Sequence, residues 1–434
     1  RQRSGGGGEG VPAMAVVNPL FGAGLGVSGG SSGSRQSPAF GSQVRVSQPP
    51  RIGAALVGTG RRAREGYAPA VLQSPGFHLR ALWSRTQASA ERFNLEVAGC
   101  SLEIFWGEAG LQQLLARPDI EGYAVALPPA VQPDYVARIL AHQRHVLSEK
   151  PVAPDRGSAE ETLKRLEEST DKGVVWFVSD PLRFELVFQP SHLQLHELGT
   201  VLAAEAYAVL VLECRHEEPQ RSDESLYIEG GVPHVAVLRQ VLGQITEVNC
   251  IRVSSNSVAD KVAPEGGGGT PSFWGDALSG TLRFEGGVVA AVNWQTSDSR
   301  QDERFRLTLW GTKGTAVVEL DMSAQAVSAG LRRYTLRRSL TSGGTAAAGL
   351  ALPHFFASNA LERQLEAWGQ AIRAAGGRGS CSSAGGPRQG QGGAGAVGAG
   401  ERAPLGAIVD LMVVGAMLQS RGSTVQIRER QRSG

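Results

Sequence analysis

The chain has 434 residues, 43 of them basic and 41 acidic, and a formal net charge of +2, so nothing in its charge points to a nucleic-acid or anionic-surface partner. No apolar run reaches the roughly 18 residues that a membrane span needs, and no membrane partner is expected. Cys100, Cys214, Cys250 and Cys381 are far apart without CxxC spacing, which indicates a reducing compartment and excludes a cysteine-based zinc site.

At about 100–200 residues per domain, the length suits two or three domains. Residues 1–50 are rich in Gly and Ser and hold a single acid, Glu9. Such a segment cannot bury enough apolar surface to offset chain entropy, so it reads as a disordered leader. A Ser-rich, acid-poor leader also suits a transit peptide. The expected compartment is therefore the cytoplasm, or a plastid-like organelle; secretion is not expected.

From Arg51 the texture changes. "RIGAALVG" (51–58) is a buried-strand run followed by glycines. Residues 61–74 read as a helix, 77–84 as an alternating strand, and 86–95 as a helix with Thr86 as N-cap. Residues 120–127 form a strand stopped by Pro128 and Pro129, and 133–143 a helix with Pro133 in its first turn. A strand at 145–150, a capped helix at 158–170 and a strand at 174–178 follow. Strands alternating with helices predict an α/β fold with a doubly wound parallel sheet. After Ser179 a helical crossover at 183–197 leads into strands at 201–213, 246–254, 277–285, 288–296, 304–310 and 315–320. Fewer helices stand between them, so this half reads as an α+β domain over 179–375 with a large, mostly antiparallel open sheet. Helices at 357–375 and 404–420 flank a Gly-rich insert at 376–402. Residues 403–427 close the core with a helix and a strand, and 428–434 are a tail. Smaller loop inserts are expected at 265–269 and 341–349.

Three places could carry chemistry. Gly58-x-Gly60-x-x-Ala63 follows a strand and opens a helix. Gly58 permits the tight turn, Gly60 lets the backbone approach a pyrophosphate, and Ala63 keeps strand and helix close. Thr59 and Arg61 belong to the same loop. A purely structural glycine turn is the plain alternative. The second strand ends in Ser84-Arg85 and lacks the acid that usually bonds the adenosine ribose. Arg85 suits a 2′-phosphate instead, which favours NADP over NAD. The third place is the carboxyl end of two further strands, Leu127-Pro128 and Glu149-Lys150. Only five of the 43 basic residues are Lys, so a lysine between an acid and a proline is notable. Burial and nearby positive charge can bring a lysine into the range where it exchanges protons. Read without function, Lys150 pairs with Glu149 or a helix carboxylate. No His/Asp/Glu cluster has metal-ligand spacing, and no metal is expected.

"GTGRRA", "ALPPAVQPDYVARILAHQRHVLSEKPVAPD" and "RFRLTLWGTKGTAVVEL" resemble the glucose–fructose oxidoreductase / inositol dehydrogenase (Gfo/Idh/MocA) family. The resemblance covers about residues 51–375 and resumes at 403–427, and "SEKP" is its most specific element. It implies a Rossmann domain over 51–178 and a C-terminal domain whose open sheet often forms a homodimer face. It makes Lys150 the catalytic and cofactor-contacting lysine, supported by Glu149. The family's second element, an acid followed by x-Gly-x-His, matches "YIEGGVPH" (227–234), with Glu229 where Asp is common. Without a gap, Pro233 takes the histidine position and His234 comes one residue late, about 100° of helix rotation. Proline suits a first helical turn, so Gly231–His234 reads as a helix start. His234 is the candidate substrate contact or proton relay, with a core or surface histidine as the bland alternative. Asp180, Arg183 and Phe184 match a family stretch near the interdomain cleft. Arg183 is a weaker substrate candidate, for which packing or a salt bridge is the simpler role.

The resulting expectation is an NAD(P)-dependent oxidoreductase acting on a sugar, polyol or related secondary alcohol. Lys150 and His234 would handle the proton, and Arg183 and Glu229 would be secondary substrate contacts. A dinucleotide-binding sensor or partner without turnover is the alternative from a different class.

Overall fold

In the computed structural model, residues 50–97, 102–169, 173–211, 223–253, 274–297, 302–328, 332–341, 353–376 and 404–427 are described. They belong to one compact unit. The expected leader apart from Pro50, the Gly-rich insert apart from Gly376, the tail, the loop insert at 265–269, that at 341–349 apart from Thr341, and Cys100, Cys214 and Cys381 lie outside the described residues.

Strand β1 (Ile52–Val57) is buried at every position, as a central parallel strand covered on both faces must be. It pairs in parallel with β2 (Phe77–Ser84) on one side and β4 (Gly122–Val125) on the other. Strands β3 (Glu103–Trp106), β5 (His145–Ser148) and β6 (Trp176–Val178) complete a six-stranded sheet in the order β3-β2-β1-β4-β5-β6. The order reverses at β1 and β4, so their carboxyl ends bound the crevice where doubly wound folds take ligands. Helix α1 (Ala68–Gln73) follows β1 after a π-helical turn at Arg62–Tyr67. Helices α2 (Gln87–Glu96), α3 (Gly107–Leu115), α4 (Gln132–Ala141) and α5 (Arg156–Ser169) follow the next four strands. Thr86 caps α2 by accepting from the Ser89 amide.

The second sheet has nine strands. Strands β7 (Val201–Val211), β8 (Ile245–Val253), β9 (Trp274–Phe284), β10 (Val289–Ser297), β11 (Arg304–Gly311), β12 (Gly314–Leu320), β13 (Arg333–Leu340), β14 (His354–Ala357) and β15 (Val425–Gln426) run in the order β14-β13-β12-β11-β7-β10-β9-β8-β15. All neighbours are antiparallel except β7 and β10. Its inward residues, such as Ala204, Ala206, Leu210, Trp294 and Leu307, are buried, while Glu205, Asn293 and Arg306 alternate outward onto an open face. Helix α6 (Asp223–Leu242) lies against the inner face. Gly230 and Gly231 allow that approach: a Cβ at 231 would stand 2.7 Å from the Trp294 ring. Helices α7 (Ala360–Gly376) and α8 (Pro404–Ser420) close the unit. Trp368 of α7 stacks on Phe77 of the first sheet at 4.9 Å.

The structure departs from the sequence reading in four places. The stretch between α2 and β4 holds β3 and α3, which alternation did not reveal, because β3 has four residues and buries one. The crossover at 183–197 is not a continuous helix. It is a series of single turns, interrupted at Pro190 and at Gln194, whose φ is +51°. Strands β13 and β14 lengthen the second sheet beyond the expected set. Gly231–His234 is not a helix start, since α6 begins eight residues earlier and Pro233 lies inside it. No helix among the described residues is long and apolar enough to cross a membrane. Cys250 is buried, and burial pushes its thiol up to about 12, outside the reactive range.

Candidate active site

The site is assembled from strand ends. β1 delivers Gly58, whose φ of +115° favours glycine, and whose Cβ would fall 2.3 Å from the Ala126 carbonyl oxygen. Its amide donates to the Trp83 carbonyl at 2.9 Å, fixing the turn against β2. A Cβ on Gly60 would meet nothing within 4 Å, so the backbone there is open to a ligand. Ala63 is fully buried beneath the turn. Thr59 Oγ1 lies 3.2 Å from Ser84 Oγ, joining the glycine turn to the end of β2, where Arg85 is exposed. A glycine turn opening a helix, next to a strand end bearing a cation and no acid, fits a nicotinamide dinucleotide.

The second strand end is held more tightly. Gln132, fully buried at the start of α4, donates from Nε2 to the Glu149 carbonyl at 2.7 Å and the Pro151 carbonyl at 3.2 Å. Its Oε1 accepts from the Glu149 amide at 3.1 Å. The Lys150–Pro151 peptide enclosed by these bonds is cis. Glu149 Oε1 accepts from the Tyr67 hydroxyl at 3.0 Å, and its Oε2 from the Lys150 amide at 3.1 Å. Burial, then the Glu149 charge, raises the Tyr67 hydroxyl well above its usual value. Leu127 and Pro128 follow β4, and the Pro128 carbonyl accepts the amides that lead into α4.

Lys150 leaves this clamp and crosses to the second sheet's helix, where Nζ donates to the Glu229 carbonyl at 3.1 Å. Burial, and secondarily the Arg62 charge, lowers its affinity for a proton. His234 lies one helical turn beyond, with Nδ1 2.9 Å from the Gly230 carbonyl oxygen. A carbonyl only accepts, so Nδ1 carries the proton and Nε2 keeps its lone pair. The imidazole sits against Trp294 and Phe305, and burial brings it down to about 4, so it is neutral at pH 7. Asp180, just beyond β6, is pushed up to about 7 by burial, with Arg183 opposing and Asp410 adding to the rise. Lys150, His234, Asp180, Arg61 and Arg62 line one cavity of about 410 Å³. Arg332, Tyr334 and Glu303 of the second sheet region form its far wall.

The structure thus brings Lys150, His234 and Glu229 to one cavity and leaves Arg183 beside it. Arg183 donates to Asp180 at 3.1 Å and Asp410 at 2.8 Å and lines a neighbouring cavity of about 270 Å³. Glu229 presents its carbonyl to Lys150. Sequence reasoning gave Asp180 no acid–base part and passed over Arg62, Tyr67 and Gln132. Gln132, a polar residue beside Pro133 at a helix start, was the one with a readable signal. Among the described residues no group of three or more His, Cys, Asp or Glu is placed to hold a metal ion.

Comparison with known proteins bears on the fold. The model of an oxidoreductase family with an NAD-binding Rossmann fold matches residues 52–178. Dehydrogenase FPY6 of Fusarium mangiferae is 31% identical over 158 residues, 35% of this chain and 45% of that protein. The dTDP-3,4-didehydro-2,6-dideoxy-alpha-D-glucose 3-reductase of Streptomyces antibioticus is 35% identical over 114 residues, 26% of this chain and 33% of that enzyme. The chain therefore matches less than half the length of these curated relatives. An oxidoreductase from Thermotoga maritima shares the fold with a TM-score of 0.61 at 19% identity, over 87% of this chain and 99% of that one. A 3-ketoreductase from Actinomadura kijaniata, solved with NADP and TDP-benzene, does so with a TM-score of 0.57 at 17% identity, over 86% and 98%.

Proposed function

We propose that the chain, whose residues 52–178 match the model of an oxidoreductase family with an NAD-binding Rossmann fold, is a Gfo/Idh/MocA-type enzyme, an NADP-preferring dehydrogenase or reductase of a sugar, polyol or related secondary alcohol. The observation that carries this reading is the meeting of Lys150, from the end of a parallel strand, and His234, from helix α6 on the second sheet, on one cavity. A bound nicotinamide supplies the hydride acceptor or donor. The chain's own residues supply the rest. The Gly58–Ala63 turn and the helix behind it hold the phosphates, and Ser84 with Arg85 the adenosine side.

In the oxidative direction Lys150, as neutral amine, takes the hydroxyl proton, and in reduction its ammonium returns it. Burial and Arg62 ease deprotonation of Lys150, while Asp180 is raised toward neutrality. Their proton affinities are brought closer together, which suits a relay from Lys150 to Asp180. His234 Nε2 accepts a hydrogen bond from the substrate and orients it. The polar wall of Arg332, Tyr334 and Glu303 suits a hydroxyl-rich substrate. A sugar-type substrate is supported by the relatives named for dTDP-sugar reduction and by a fold neighbour named levoglucosan dehydrogenase.

The test is NADP(H) binding by calorimetry together with a turnover screen over sugars, nucleotide sugars and polyols and their ketones. Turnover of one class supports the enzyme. Tight binding without turnover across the screen would sink it in favour of a dinucleotide sensor. Cofactor choice has its own check. Arg85→Ala should weaken NADP about tenfold, the loss of one charge-assisted contact worth about 1.4 kcal/mol, and leave NAD unchanged. Equal losses for both cofactors would remove Arg85 from the 2′-phosphate site.

A further inference from the structure

Helix α6 runs unbroken through Pro233. In an α-helix the N–H of residue 233 would bond the carbonyl of residue 229, but proline has no N–H to give. The Glu229 carbonyl therefore receives no amide from residue 233, and Lys150 Nζ donates to it at 3.1 Å. We propose that Pro233 is a positioning residue for Lys150: it supplies no amide to compete for the Glu229 carbonyl, on which the lysine's amine is seated at the cavity wall. The proposal rests on the acid–base reading of Lys150.

Two further features make the seat rigid. Gly230 and Gly231 press α6 onto the second sheet, where added Cβ atoms would stand 3.2 Å from Leu210 and 2.7 Å from Trp294. The helix thus has no room to shift inward. On the lysine's side, Gln132 and Glu149 hold the backbone from which the four-carbon stem springs. A long flexible side chain is thereby fixed at both ends. The next residue keeps its amide and turns its ring to the Gly230 carbonyl, so Pro233 and His234 set adjacent carbonyls to different tasks. The charged and titratable groups facing Lys150 are Arg62, Glu149, Asp180, Glu229 and His234.

Pro233→Ala returns the missing N–H, which then competes for the Glu229 carbonyl. A carbonyl acceptor favours the charged amine, so its loss lowers the lysine's midpoint. The five lysines, at 150, 164, 172, 261 and 313, are few enough to resolve by carbon-13 NMR after labelling at Cε, with Lys150 assigned by its absence in Lys150→Met. In Pro233→Ala, and in Pro233→Ser as a second variant, the Lys150 midpoint should fall by about one pH unit while the other four hold. Thermal stability should not fall, because the helix gains a bond. Turnover should drop about tenfold with the KM for dinucleotide unchanged. A Lys150 midpoint equal to that of the unmodified protein overturns the seat. Lys150→Met separates the two claims: if it keeps turnover, the acid–base role fails while the titration still decides the seat.

Discussion

Lys150→Met is expected to lower kcat by about 10²–10⁴-fold, the usual share of a positioned acid–base group. Methionine nearly matches the stem in length and apolar character, so it fills the same half-buried channel without leaving a cavity. What it lacks is the amine that donates to Glu229 and to which the proposed mechanism gives the proton exchange with substrate. Dinucleotide affinity should change far less, since the Gly58–Ala63 turn and Arg85 are untouched. Lys150→Arg is the sharper control. It keeps the positive charge but stays protonated at any working pH, so it should be as slow as methionine if proton exchange is the task. If charge alone matters, arginine should restore most of the rate. Steady-state kinetics on a substrate from the turnover screen decides between these outcomes. Turnover of Lys150→Met within about threefold of the unmodified enzyme would remove Lys150 from the chemistry.

How far the sequence reading reached depended on how local the cause was. The glycine turn was legible because Gly58 answers a local demand, a positive φ with a carbonyl 2.3 Å from any Cβ. The strand ending at Ser148 was legible because apolar runs stopped by turn residues mark parallel strands. Strand β13 was hidden because outward Arg333 and Arg337 dilute the apolar alternation of Tyr334 and Leu336. The place of Pro233 was hidden for a different reason. Two glycines and a proline in succession argue locally for a helix boundary, and tertiary packing overrides that preference. The glycines are there for contact with Leu210 and Trp294, and the proline's missing bond is met by a residue 83 positions earlier. The clamp of Gln132 on Glu149 and Pro151 is likewise a contact between distant stretches, invisible to periodicity.

Asp410→Ala should cost about 3–5 kcal/mol of stability, because it takes the shared carboxylate from two guanidinium groups, Arg239 buried and Arg183 largely so. Asp410 is 1% exposed on α8. Its Oδ1 accepts from Arg239 of α6, and its Oδ2 from Arg183 of the crossover at 2.8 Å. Arg239 also reaches the Gly406 carbonyl at 2.9 Å and the Gln244 side chain, and Arg183 also holds Asp180. One carboxylate thus ties the last helix, the long helix of the second sheet and the turn beyond β6. Removing it leaves both cations short of a counter-charge, whereas replacing Arg239 and Asp410 together by methionine and leucine should recover most of the loss. Urea unfolding of the single and double variants measures both. A single-variant loss under about 1 kcal/mol would show that the ion-pair network does not hold these elements. The same carboxylate also helps to raise Asp180. Asp410→Asn, which keeps the shape and drops the charge, should therefore move the Asp180 ionisation to lower pH. If Asp180 receives the proton from Lys150, the acidic limb of the kcat/KM profile moves down with it. An unmoved limb in a folded Asp410→Asn enzyme would take Asp180 out of the relay and leave Lys150 to release its proton to solvent.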